Sequence, residues 1–379
     1  MKAFDPAIPM VDLATQHQRI QTELDEAMLR VARHGRYIKG PEVAAFESDL
    51  ASYLGAEHVI GCGNGTDALQ IALMALGLKP GDEVISPAFT YIATAEVIAL
   101  MGLTPRWVDV DANTYTLDPE QLEQAITPRT KAIIPVHLYG QAADMERIMA
   151  IAKQHSVAVV EDNAQAIGAS YTWSDGRTQK LGTIGTMGCT SFFPSKNLGC
   201  MGDGGAISTN DADLAERIRM VANHGQRVKY RHDIIGVNSR LDTMQAAMLQ
   251  VKLPHLDDWC AARLSAAERY DAGLASVQHI QTPARQPQSS HVFHQYTLRV
   301  RNGQRDALQA HLKAQGIPSM IYYPLPLHLQ PAFASDAVPV GSMPISEQLC
   351  QDVISLPMHP ELTVDTQDII INQIKNFFS

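Results

Sequence analysis

Five short β-rich runs, separated by segments of helical spacing, constrain this chain more than any other feature. The runs are His58-Val-Ile60, Glu83-Val-Ile-Ser86, Arg106-Trp-Val-Asp109, Ala132-Ile-Ile-Pro-Val136 and Val157-Ala-Val-Val160. Helical segments lie between them, near 65–77, 91–101, 118–126 and 142–155. A strand that is apolar along its length is buried on both faces, and strand–helix alternation sets consecutive strands parallel. The expected fold class is therefore α/β, with a mostly parallel central sheet. Residues 12–33 read as an amphipathic helix, with Leu13, Ile20, Leu24 and Met28 on one face, and Pro41 opens a second helix.

Near residue 255 the texture changes. A helix through about 242–276 leads into the Pro/Gln/Ser-rich stretch 282–290. A strand (295–300), a helix (303–315), a strand (319–322) and a final helix (about 365–378) follow. The chain of 379 residues is long enough for about two to three domains. The division expected is a large α/β domain with an N-terminal helical segment, 1–255, and a small α+β domain, 256–379.

Composition narrows the function classes. Hydrophobic residues make up 45% of the chain, which allows a large core. A net charge of -10 argues against a general polyanion-binding surface, so no nucleic-acid partner is expected. Cys62, Cys189, Cys200, Cys260 and Cys350 are scattered, with no C-x-x-C pair. That suits reduced thiols in the cytoplasm, and no metal site is expected. The first six residues lack an apolar signal core. No apolar run approaches the ~18 residues that span a membrane.

Three motifs carry chemistry. In Gly61-Cys-Gly-Asn-Gly-Thr-Asp-Ala-Leu-Gln70 a strand ends, a glycine turn follows and a helix starts near Thr66. The free N–H groups there, with the Thr66 hydroxyl, make a seat for a phosphate. A plain glycine turn capped by Thr66 or Asp67 is the alternative. A dinucleotide site is rejected, because the next strand ends in Ile85-Ser86-Pro87 with no acid to hold a ribose. In Val159-Val-Glu-Asp-Asn-Ala-Gln165 an acid ends a buried parallel strand, where α/β sheets bind ligands. Asp162 there can pair with a protonated ring nitrogen, as pyridoxal 5′-phosphate (PLP) requires, or simply cap the next helix. Lys196 follows 34 residues later, in Ser191-Phe-Phe-Pro-Ser-Lys-Asn-Leu-Gly199. A lysine amine that loses water drops its pKa and can attack a carbonyl. A phosphate seat, a strand-end acid and a loop lysine, in that order, meet the needs of a PLP enzyme.

The chain resembles the DegT/DnrJ/EryC1/StrS sugar aminotransferases, which are fold-type I, aspartate aminotransferase-like PLP enzymes. The resemblance rests on Asn64-Gly-Thr-Asp-Ala-Leu69, Pro87-Ala-Phe-Thr-Tyr-Ile-Ala-Thr94, Pro135-Val-His-Leu-Tyr-Gly140, Glu161-Asp-Asn-Ala-Gln165, Ser191–Gly199, Gly236-Val-Asn-Ser-Arg-Leu-Asp242 and Tyr323-Pro-Leu-Pro-Leu-His-Leu-Gln330. It implies Lys196 as the lysine joined to PLP and Asp162 as the partner of the pyridine nitrogen. It implies Gln165 near the ring hydroxyl and Phe89 stacked on the ring, although Phe89 also reads as ordinary core. It implies Gly65, Thr66 and Ser191 at the phosphate. Asn238 resembles the residue that reaches the phosphate from a neighbouring subunit, so a homodimer with shared active sites is implied. One branch of the family has histidine at the lysine position and deoxygenates; position 196 is lysine, which excludes it. Asn163 departs from the alanine more usual there, and is small enough to fit.

The resemblance further implies two half-reactions. L-glutamate gives its amino group to the cofactor and leaves as 2-oxoglutarate, and the pyridoxamine form aminates a nucleotide-linked keto-sugar. Within the family the chain resembles aminotransferases acting at C3 of UDP-2-acetamido-2-deoxy-3-keto-glucuronate, which supply sugars for bacterial surface polysaccharides such as O-antigen. Arg240, Lys229 and Tyr230 are candidates for the carboxylate and diphosphate, although Arg240 also reads as structural. Tyr322, Tyr323 and His328 are expected at the sugar pocket, with a packed loop histidine as the alternative for His328. The segments 225–230 and 326–330 are also similar to enzymes that aminate dTDP-3-keto-6-deoxyhexoses. A non-catalytic regulator is the reading from a different class; it would be expected to lose Lys196, Asp162 or the phosphate seat.

Overall fold

A computed structural model describes residues 8–379, so the leader reading of the first six residues lies outside the described residues. Two helices open it, α1 (Leu13–Gln18) and α2 (Gln21–His34), followed by α3 (Pro41–Leu54). The single helix expected over 12–33 is broken at Ile20, whose φ of -125° leaves the helical region and turns its side chain into the core. The body then alternates: β1 (His58–Cys62), α4 (Gly65–Ala75), β2 (Glu83–Pro87), α5 (Ala93–Leu100), β3 (Thr104–Val108), α6 (Pro119–Ala125), β4 (Thr130–Ile133), α7 (Met145–His155) and β5 (Ala158–Asp162). A hairpin, β6 (Ser170–Thr172) and β7 (Thr178–Lys180), precedes β8 (Met187–Ser191), β9 (Gly205–Thr209) and α8 (Ala212–Val221).

Seven of these strands form one sheet in the order β1-β9-β8-β5-β4-β2-β3. Strand β9 runs antiparallel to both of its neighbours, and every other pairing is parallel. The α/β class holds, with β9 as the one reversed strand of this sheet. Strands β2, β8 and β9 are buried along their whole length. Helices cover both faces, which produces two apolar cores, one around Leu69, Val97 and Ile207 and the other around Ile85, Ile148 and Val159.

A second hairpin, β10 (Gln226–Val228) and β11 (Arg231–His232), projects before α9 (Thr243–Lys252) and α10 (Leu256–Leu274). The long helix expected over 242–276 is split by a 3-10 turn at Leu253–His255. Pro254 has no N–H to donate, so the α-helical ladder lapses there. Beyond the break come β12 (Ile280–Gln281), β13 (Tyr296–Val300), α11 (Arg305–Ala314), α12 (Pro344–Asp352), β14 (Val353–Leu356) and α13 (Val364–Phe378). Strands β12, β13 and β14 make a separate antiparallel sheet. Its core joins Leu298, Ile354, Leu308, Tyr270 and Ile370. The strand expected at 319–322 reduces to one bridge, between Met320 and Ser355.

Candidate active site

The carboxyl ends of β1, β2, β5 and β8 surround a cavity of about 730 Å³. This is the crevice where open α/β sheets hold ligands, and the volume suits a cofactor with its substrate. Each wall follows from a local chain decision. At the end of β1, Asn64 caps α4 by accepting the Asp67 N–H at 2.8 Å. The N–H groups of Gly65 and Thr66 then open the helix without intrahelical partners, and both residues line the cavity. Ser191, the last residue of β8, packs so closely on that turn that a Cβ on Gly65 would lie 2.6 Å from its own Cβ. Only glycine fits there.

At the end of β5, Asp162 is buried and its carboxylate is held from two sides. Thr94 donates to Oδ2 at 2.7 Å and the Ala164 N–H to Oδ1 at 3.2 Å. Burial pushes the Asp162 carboxyl up, while the two hydrogen bonds, Lys196 and His137 pull it back down. Beneath it, the buried Glu161 accepts three backbone N–H groups, from Gly182, Ile184 and Gly185, and lies 2.9 Å from His137 Nε2. That lattice fixes the strand end carrying Asp162.

Lys196 sits in the loop after β8 with its amine withdrawn from water. Burial lowers its pKa to about 8, with Asp162 acting in the opposite direction. Its Nζ is 3.5 Å from His294 Nε2. On the opposite wall, Gln165 Oε1 accepts the Tyr139 N–H at 2.7 Å, and Gln165 Nε2 donates to the Tyr323 hydroxyl at 3.0 Å. The Tyr323 O–H is left free to donate into the cavity.

Eight of the residues singled out in the sequence line this one cavity: Gly65, Thr66, Asp162, Gln165, Ser191, Lys196, Tyr322 and Tyr323. Six others do not. Phe89 is 1% exposed and packs edge-on against Tyr115 and Tyr323, so it supports the wall from behind. The ring presented to the cavity is Tyr91, two residues on and 56% exposed. His328 is fully buried, with Nε2 3.1 Å from Glu347, and forms none of the wall. Arg240 lines a separate cavity of about 250 Å³ with Lys39, Arg219 and Glu47. Lys229 and Tyr230 lie exposed at the turn between β10 and β11, and Asn238 is exposed away from its own cavity. Sequence reasoning missed Tyr91 and His294. The aromatic spacing in Pro87-Ala-Phe-Thr-Tyr91 was a signal for Tyr91.

The donor set fits PLP. The N-terminus of α4 with Thr66 and Ser191 would hold the phosphate, buried Asp162 the ring nitrogen, and Lys196 the carbonyl carbon. No cationic side chain forms a salt bridge with Asp162 among the described residues, so its carboxylate is available to a ligand.

Comparison with known proteins agrees with this geometry. The model of the DegT/DnrJ/EryC1/StrS aminotransferase family matches residues 18–375. A Geobacillus stearothermophilus protein called a pleiotropic regulatory protein is 50% identical, over 98% of each chain. A UDP-2-acetamido-2-deoxy-3-oxo-D-glucuronate aminotransferase of Pseudomonas aeruginosa is also 50% identical, over 97% of this chain and all of its own. A dTDP-3-amino-3,4,6-trideoxy-α-D-glucose transaminase of Streptomyces venezuelae is 46% identical, over 95% and 93%. The crystal structure of S. venezuelae DesV in complex with a ketimine intermediate superposes with a TM-score of 0.94, at 44% identity over 98% of this chain and 99% of that one. With fold, cavity and motifs in agreement over nearly the whole length, this chain belongs to the DegT/DnrJ/EryC1/StrS aminotransferase family.

Proposed function

We propose that this protein transfers the amino group of L-glutamate, through PLP, to C3 of UDP-2-acetamido-2-deoxy-3-keto-D-glucuronate. The observation that carries the aminotransfer chemistry is the meeting of Lys196, Asp162 and the start of α4 in one cavity. Bound PLP supplies a carbonyl carbon that takes up and releases an amino group, and a ring that accepts the electron pair left at the donor's α-carbon. The chain's own residues do the rest. Lys196, with a pKa of about 8, holds and releases a proton at Nζ near neutral pH, as a general acid and base must. Asp162 keeps a ring nitrogen protonated. The first N–H groups of α4 anchor a dianion and so fix the ring's orientation. Tyr322 and Tyr323 face the sugar.

The choice of sugar is supported by the 50% identity to the P. aeruginosa enzyme along its full length. A uronate linked to a diphosphate needs cations. Among the described residues Arg240 and Lys39 form no salt bridge and line one cavity, and their chain neighbours Tyr37, Ile38, Ile235 and Asn238 are exposed. A homodimer in which this face completes the partner's cavity would bring Asn238, Arg240, Lys229 and Tyr230 to the substrate. The cytoplasm is the proposed site of action, and five free cysteines accord with it. No helix among the described residues is long and apolar enough to cross a membrane. The pathway proposed is bacterial surface polysaccharide synthesis.

A second reading, a dTDP-3-keto-6-deoxyhexose as acceptor, is favoured by the 46% identity to the S. venezuelae transaminase. The test loads the enzyme with pyridoxamine phosphate and offers each nucleotide sugar separately, with mass spectrometry of the sugar product. Amination of the UDP-uronate alone is expected. Amination of the dTDP sugar alone would overturn the substrate reading and keep the chemistry. Amination of neither, with no amino group taken from L-glutamate, would favour a regulator that binds without turnover.

A further inference from the structure

His294 is the polar side chain nearest to Lys196 that the proposed reaction leaves without a task. The two nitrogens are 3.5 Å apart, and both residues line the same cavity. Gln295 Nε2 lies 3.4 Å from the same ring nitrogen. An amine or ammonium N–H and an amide N–H are donors, so Nε2 is the acceptor and the ring proton belongs on Nδ1. Nδ1 is buried without a protein partner. Two cations act on this ring, Lys196 from the loop after β8 and Arg263 from α10.

Arg263 is unusual in its own right. It is 2% exposed, and Nη1 donates only to carbonyl oxygens, of Phe293 at 3.1 Å and Met358 at 3.0 Å. Among the described residues no carboxylate forms a salt bridge with it, and its Nε is buried without a partner. A buried charge is normally paired, because an unpaired one loses its hydration without recompense. Here the field of that charge falls on His294 and on the buried His359. Burial first, then Lys196 and Arg263, hold the His294 imidazole well below its usual pKa.

Resting on the reading of Lys196 as the cofactor lysine, we propose that His294 is its positioning residue, accepting one N–H of the amine, and that burial, together with the unpaired Arg263 anchored on the carbonyl of the adjacent Phe293, keeps the imidazole in this accepting form. A free lysine amine has three rotatable donors on a flexible stem. Fixing one of them aims the others, and the lone pair, at the cavity. A protonated His294 would lose its acceptor and repel the ammonium.

The test follows Lys196 in the full-length apoenzyme, by the pH dependence of its modification with trinitrobenzenesulfonate read by peptide mass spectrometry, and kcat in the holoenzyme. The wild-type midpoint is expected near 8. H294L removes the acceptor, so the midpoint should fall and kcat should drop on the order of 10-fold to 100-fold, with KM for the donor little changed. H294Q, which keeps an acceptor, should recover most of both. R263M should move the acid limb of the pH–kcat profile to higher pH, and R263K should leave it in place. An unchanged Lys196 midpoint and kcat in H294L, or an unmoved acid limb in R263M, overturns the proposal. Turnover retained by K196A would instead refute the reading of Lys196, separately from the role of His294.

Discussion

Asp109, just past the end of β3, offers the sharpest test of how the small sheet region supports the cavity. Its carboxylate is fully buried and accepts four hydrogen bonds. Oδ1 takes the Val110 N–H at 2.9 Å, the Ser346 N–H at 2.8 Å and the Ser346 hydroxyl at 2.5 Å; Oδ2 takes the Ile345 N–H at 2.8 Å. Three of these donors, two of them backbone N–H groups, belong to the first turn of α12, so Asp109 acts as a cap from a distant strand. Helix α12 contributes Leu349 and Cys350 to the apolar cluster that backs Tyr139, Tyr322 and Tyr323. Replacing Asp109 by alanine strands three buried N–H groups at about 1–3 kcal/mol each, partly offset because a buried carboxylate is also removed. The expected loss is about 4 kcal/mol. The substitution Asp109→Asn keeps the three bonds at Oδ1 but turns an NH2 toward the Ile345 N–H, for a loss of about 2 kcal/mol. Urea titration of the apoenzyme, followed by tyrosine and tryptophan fluorescence, measures both from the first unfolding transition. In the holoenzyme, KM for the sugar should rise in D109A because the tyrosine wall loosens. A loss below about 1 kcal/mol in D109A, or a D109N variant as damaged as D109A, would refute this account.

Three further perturbations address the site and its surroundings. Gly65→Ala places a Cβ 2.6 Å from that of Ser191, so PLP affinity should fall at least about 10-fold while far-ultraviolet circular dichroism stays unchanged; equilibrium dialysis reads it. Thr94→Val removes a 2.7 Å bond that lowers the Asp162 pKa. The acid limb of the pH–rate profile should therefore move to higher pH, and Thr94→Ser should restore it. Lys252 is 3% exposed, donates to Gly199 O at 2.8 Å, and is lowered by burial from 10.5 to about 8. Between those values the unfolded chain holds a proton that the folded one has shed, so stability gains with rising pH. Wild type should gain on Lys252→Met by up to about 1.4 kcal/mol per pH unit from pH 8 upward, and parallel urea midpoints across pH 7 to 10 would contradict it.

What the sequence alone could tell depended on whether a residue's task left a local mark. Strands β2 and β5 announced themselves through their β-rich runs, Glu83-Val-Ile-Ser86 and Val157-Ala-Val-Val160. Strands β8 (Met-Gly-Cys-Thr-Ser) and β9 (Gly-Ala-Ile-Ser-Thr) did not, because small residues allow close packing there instead of filling space. Lys196, Asp162 and the Gly65 turn were legible because each sits where a strand gives way to a loop or helix. The resemblance implies Phe89 at the ring; the chain leaves β2 after Pro87 and bends, so that Phe89 is packed inward while Tyr91, two residues on, is exposed. His328 misled in the same way, since a histidine in a proline-rich loop looks available and only its pairing with Glu347 shows that it is not. Arg263 is brought beside the Phe293–His294 segment, and His294 beside Lys196, only by tertiary packing, which no spacing rule reports.

The reversed strand has a consequence for synthesis. Within the sheet β1 pairs only with β9, at a separation of about 150 residues along the chain. At ribosomal rates of ~5–20 residues per second, β1 and the turn that follows it wait roughly 10–30 s for that partner to emerge. Through that interval the apolar edge of a growing chain is open to the wrong strand, its own or a neighbour's. The cavity wall proposed to seat the phosphate is complete only when Gly205 settles between Cys62 and Ser191. Any nascent chain halted before that residue would emerge unable to retain its cofactor and with an edge prone to aggregate.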